Sequence, residues 1–176
     1  MTVAFPIIGP GEGGVVSPEW VSDITEAVND QASSTTTRQK DSAITDGTTT
    51  STTFTNSLTT TLICGIAFVA PATGSVVVLY QASGRNGTAG AFTIIEFEVK
   101  TGSTVGSGSV FRPSDENIAS TFQSDSAGQQ GQHGGHDLVT GLTPGSAYNA
   151  CIVYRVNTAS TGTFNRRKIT IMFGAQ

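Results

Sequence analysis

The sequence predicts a mainly β protein: an antiparallel β-sandwich preceded by an extended arm and one short helix. Three observations carry this. From Leu62 onward, apolar residues recur with a period of two, in about seven or eight short runs separated by Gly, Pro, Asn and Ser. No helical period interrupts those runs. The segment Leu142-Thr143-Pro144-Gly145-Ser146-Ala147-Tyr148 has the spacing of a tyrosine corner, which favours a fibronectin-type or Ig-like sandwich, with a jelly roll as second choice.

A chain of 176 residues has room for one domain with its arms and buries a core without disulfide or metal. Charged residues make up 12%, about half the usual share. Gly, Ser and Thr replace them, as on exposed strand faces of extracellular and particle-surface proteins. Net charge is −4, and the only basic run is Arg166-Arg167-Lys168. Phosphate neutralisation needs a larger basic surface, so nucleic acid is not expected as a partner. No run approaches the ~18 apolar residues of a membrane span, so no membrane insertion is expected. The opening Met1-Thr2-Val3-Ala4-Phe5-Pro6 lacks the basic and apolar regions of a signal peptide. A protein working outside a cell would then leave by lysis. Cys64 and Cys151 both lie in apolar runs, as buried free thiols or as a disulfide between neighbouring strands.

Residues 1–30 read as an arm and attachment helix. Pro6, Gly9-Pro10-Gly11 and Gly13-Gly14 break any regular element over 1–16. Ser17 then suits an N-cap and Pro18 the first helical position. Trp20, Val21, Ile24, Ala27 and Val28 fall on one stripe. A helix of about 13 residues is unstable alone in water, so this stripe must dock. Trp20, Val21, Ile24 and Val28 are the expected attachment residues. Residues 31–61 are Ser/Thr-rich, either a linker or an extended strand laid on a partner.

The domain proper is expected over 62–176. Leu62–Ala70 is apolar on both faces, as in a central strand or one covered by another subunit. Ser75–Gln81 follows, then a loop over 83–88. Phe92–Lys100 alternates cleanly, with Ile95, Phe97 and Val99 inward. Gly108–Arg112 and Ile118–Phe122 are shorter. Ser124–Gly135 reads as a Gly/Gln/Ser loop, and Asn149–Val156 and Lys168–Phe173 as the last strands.

The sequence offers no catalytic constellation, and neither enzyme activity nor a cofactor is expected. His133 and His136 form a His-x-x-His set, but the Gly134-Gly135 between them puts no element geometry behind metal binding. Asp115-Glu116 near Arg112 suits turn capping better than catalysis. The Gly84–Gly90 stretch lacks a phosphate-binding pattern. Arg85 and Asn86 at its tip, with His133 and His136, are candidate surface contacts, a sugar being one conceivable ligand.

The order of features, taken together, resembles the small minor tail and fibre-like virion proteins of phages infecting actinobacteria. The resemblance rests on four stretches: Val16–Asn29, Cys64–Val76, Val139–Asn149 and the closing Arg166-Arg167-Lys168-Ile169-Thr170-Ile171. It implies a structural virion protein with a β-sandwich head, a homotrimer, other virion proteins as partners and a host-surface glycan as a candidate partner. It brings no catalytic residues. A tail-associated protein is the leading expectation. A head or neck decoration protein pinned to the capsid by its arm comes second, and a carbohydrate-binding module is more distant.

Overall fold

The computed structural model describes residues 37–40, as backbone, and 45–173. The predicted helix with Trp20, Val21, Ile24 and Val28 lies outside the described residues. Among those described there is no helix. Ten strands build two antiparallel sheets: β1 (Thr37–Lys40), β2 (Gly47–Thr49), β3 (Gly65–Val69), β4 (Val76–Asn86), β5 (Phe92–Thr101), β6 (Val110–Arg112), β7 (Ser120–Gln123), β8 (Gln130–Val139), β9 (Ala147–Val156) and β10 (Gly162–Phe173). The first sheet runs β1-β10-β4-β8, with β2 also on β10. The second runs β3-β9-β5-β6, with β7 also on β5.

Both sheets feed a single core. Val76, Val78, Tyr80 and Ala82 of β4 and Phe164, Ile169 and Ile171 of β10 come from the first. Ile66, Phe68, Ile95, Phe97, Val99, Tyr148, Ala150, Ile152 and Tyr154 come from the second. Period two explains this: every second residue faces the opposite sheet. On β5 the inward set is Ile95, Phe97 and Val99, as the alternation predicts.

Strand β9 is also buried on its outer side, at Asn149, Cys151 and Val153. The β5–β6 loop folds back over that side, and one amide makes three of the bonds that hold it. Asn149 donates from Nδ2 to the carbonyls of Gly102 and Ser107, 3.0 Å each, and its Oδ1 accepts the Gly106 N–H at 2.9 Å. A buried side chain with all these bonds satisfied fixes a loop at little desolvation cost.

Several sequence expectations change here. Among the described strands β3 stands at a sheet edge rather than in the centre: it pairs there with β9 alone, and Leu62 and Val69 are 85% and 59% exposed. The single chain thus excludes the central-strand reading and leaves the other, cover by another subunit. The stretch expected to loop over 83–88 is strand as far as Asn86, and the one expected to loop over 124–135 is strand from Gln130. β10 starts at Gly162, six residues before Lys168. Within 31–61, β1 and β2 pair with β10, while Thr55 bridges to Tyr154 of β9.

Strand β8 escapes pattern reading because of its glycines. A side chain at Gly131 would collide with the Phe122 ring, and one at Gly135 would reach the Tyr80 hydroxyl at 2.8 Å. Glycine here makes room for aromatic neighbours inside the sheet pair.

The tyrosine corner is formed. The Tyr148 hydroxyl accepts the Thr143 N–H at 3.1 Å, Leu142 and Tyr148 are buried, and Gly145 takes a φ of 76°. Yet it serves a strand order other than the Ig one. In that fold the last two strands are neighbours in one sheet, whereas β9 and β10 lie in different sheets. The corner is thus a local device for a chain crossing between sheets. Tyr148→Phe is expected to lower stability by about 0.5–1.5 kcal/mol, the net worth of one such bond. Urea midpoints of the two proteins measure it, and equal midpoints would show the bond contributes nothing.

Candidate functional site

The outer faces of the two sheets differ. That of the second sheet is roofed by the loop on Asn149, whereas that of the first carries a groove of about 560 Å³. Register sets its walls. His136 of β8 stands opposite Leu79 of β4, which stands opposite Thr170 of β10; in the next row Gly134, Gln81 and Lys168 align the same way. Gln132 extends the β8 side.

One side-chain phase on β10 makes this possible. Asn165 pairs with Ser83 and Lys168 with Gln81, so three steps on β10 match two on β4, a β-bulge. The predicted basic run is split by it. Arg166 sits in the left-handed region at φ 49° and is exposed. Arg167 turns into the protein, donates from Nη1 to Thr61 Oγ1 at 2.8 Å, and burial pushes its pKa down to about 10. Lys168 faces the groove. No continuous basic surface results from the three.

The residues expected to form contact loops are placed differently. Arg85 lies within β4 and donates to Asp46 Oδ2 at 2.6 Å, and Asn165 donates to the same carboxylate at 2.7 Å. Asn86 is fully buried; its N–H donates to Ser124 Oγ and its Oδ1 accepts the Thr88 N–H. Its buried position removes it as a surface contact. His133 and His136, three apart on one strand, point to opposite faces. They cannot converge on one ion. His136 is exposed and lines the groove; His133 packs inward on Phe122, with ring centroids 6.3 Å apart.

The acids are structural in the same sense. Arg112 donates from Nη1 to Glu96 Oε2 at 2.9 Å and from Nη2 to Asp137 Oδ2 at 3.0 Å, with its guanidinium 3.8 Å from the Phe97 ring centroid. It ties β5 and β6 of one sheet to β8 of the other. Asp115 accepts from the Asn117 N–H, a turn cap as expected. Among the described residues, no three His, Cys, Asp or Glu side chains gather as metal ligands would. The cysteines are free and buried. Cys151 stands opposite Gly65, so Cys64, the next residue, faces the core instead, and the two thiols lie on opposite faces of the sheet. Burial pushes the Cys64 thiol up to about 12 and raises that of Cys151.

No protein-family model matches the chain, and no curated protein matches it.

The groove residues Leu79, Gln81, Gln132, Lys168 and Thr170 were not singled out from sequence. The available signal was the alternation Gln130-Gly131-Gln132-His133-Gly134, polar on one parity and small or aromatic on the other. Recognising it required knowing what the glycines accommodate.

His133 gives a pH-dependent term. Its Nδ1 lies 3.2 Å from the Ser120 carbonyl, while Nε2 is buried without a hydrogen-bond partner beside Gly84. A proton on Nε2 would be a buried charge, and desolvation lowers the pKa from 6.5 to about 4. The unfolded chain therefore binds this proton first as pH falls. The contribution is fully present above about pH 6.5 and lost on descent to about 4, by up to about 3 kcal/mol. Urea unfolding at pH 7 and pH 5 should show a loss in the wild type that His133→Gln lacks. Equal losses in both would show that His133 is not its source.

Proposed function

We propose that the chain is a non-enzymatic structural component of a tailed-phage virion, tail-associated and of the minor tail or fibre-like kind. The strand order is the observation that carries this reading. With β1 and β2 on β10, then β4 and β8, facing β3, β9, β5 and the pair β6 and β7, the arrangement is that of a double-sheet jelly roll. That sandwich recurs in viral capsid and lectin domains. The support is fold-level analogy, joined to the sequence resemblance. Among the described strands the first and the last, β1 and β10, lie side by side. In this reading Trp20, Val21, Ile24 and Val28 make the attachment.

The surface favours partners too. Leu138, Val77 and Met172 align across β8, β4 and β10 beside Leu79, and Leu138 and Met172 are 57% and 42% exposed. A contiguous apolar row of this kind is suited to packing in an assembly. In the proposal it serves contacts with other virion proteins or within a homotrimer.

Gold-labelled antibody against residues 37–173, applied to intact particles, tests the location. Label on the tail is the expected result. Label on the head or neck would replace the tail reading with a capsid-decoration one, and particles without the protein would overturn the virion reading.

A further inference from the structure

The groove on the first sheet has a chemistry of its own. Among the described residues, its polar side chains on the outward parity of their strands are the amides of Gln81 and Gln132, the Thr170 hydroxyl, the His136 imidazole and the Lys168 ammonium, while Tyr80 and His133, which also line it, are on the inward parity. Amides donate and accept at once, which suits vicinal hydroxyls. Gly134 leaves bare strand between Gln132 and His136, and a side chain there would run into the Tyr80 carbonyl and Gln81 Cβ. Leu79, 36% exposed, gives a small apolar floor.

Charge narrows the class. The chain carries −4, yet among the described residues no carboxylate lines the groove. The nearby acids are engaged elsewhere: Asp46 with Arg85 and Asn165, Asp137 with Arg112 on the inner side of β8. Among the described residues, Lys168 is the cation that faces the groove. A negative ligand meets complementary charge there in an otherwise acidic protein.

Other classes fit less well. An apolar ligand would leave most lining groups unsatisfied. A nucleic-acid strand needs stacking platforms and a longer basic track; among the described groove residues the one Phe, Tyr or Trp, Tyr80, is buried in the core. A volume of about 560 Å³ is within the range of small-ligand sites and has room for a short oligosaccharide.

We propose that this groove binds a short acidic oligosaccharide, with Lys168 facing a sugar carboxylate and Gln81, Gln132 and His136 facing ring hydroxyls. The site stands on the groove alone, so it holds wherever in a particle the chain sits.

Amide chemical shifts of the full-length protein test it, titrated with trigalacturonate to about 10 mM, a range that captures weak saccharide affinities. Cellotriose supplies a neutral control and hexathymidylate a nucleic-acid one. The expected result is saturable shifts on β4, β8 and β10 around Gln81, Gln132 and Lys168 with trigalacturonate, at least tenfold weaker with cellotriose. Lys168→Gln should weaken trigalacturonate binding about tenfold, and Gln132→Ala severalfold. Both side chains face outward, so folding is retained. No shifts at the groove, equal binding of cellotriose, tighter binding of hexathymidylate, or an unchanged affinity in Lys168→Gln would each overturn the assignment.

Discussion

Between Asn165 and Lys168, β10 carries one residue more than β4 opposite it, and Arg166 takes the left-handed conformation that absorbs the excess. Without that residue, Phe164 and Ile169 could not both reach the core, because they differ in parity along the strand. With it, Phe164 packs on Tyr154 at 5.0 Å between centroids, and Ile169 and Ile171 fill the middle of the sandwich. The same phase sends Lys168 and Thr170 outward. β10 lies between β1 and β4 and also holds β2, so its phase is imposed on most of the first sheet. Core and groove are two faces of one register.

The second sheet solves a different problem. Its outer face carries Glu96, Asn149, Cys151 and Val153, all buried. They are tolerated because the chain between β5 and β7 folds back over or beside them. Asn149 holds the loop over β9, while Arg112 and the Asp115 N–H meet Glu96. The first sheet, by contrast, keeps Leu79, Leu138 and Met172 exposed on its outer face. That asymmetry places the groove and the exposed apolar row on the same sheet.

Much of this was legible where side chains alternate cleanly. Phe92–Lys100 and Asn149–Val156 were readable because large apolar residues occupy every second position, and the corner at Tyr148 because Pro144 and Gly145 fix a turn locally. Gln130–Val139 was not, since its strand character comes from pairing with β4 and from glycines that admit Phe122 and Tyr80. Leu62–Ala70 suited a central strand as well as one covered by another subunit, and its hydrophobicity gives no sign that β3 ends the sheet among the described strands. Strand order is also silent in a sequence like this, because the corner occurs in sandwiches wired differently. The groove escaped for a related reason. Its residues come from three strands distant in sequence, and only register brings Gln81, Gln132 and Lys168 together.

The bulge is the feature on which both faces depend, so removing its extra residue is the most direct test. Urea unfolding should compare the wild type with a deletion of Arg166 and with Arg166→Gly. The substitution keeps the residue count and suits the positive φ, so it should match or slightly exceed the wild type. The deletion forces either Phe164 or the Ile169–Ile171 pair out of the core, and should cost several kcal/mol or abolish cooperative unfolding. A deletion variant as stable as the wild type would contradict the account, since β10 would then not need the bulge to set its register.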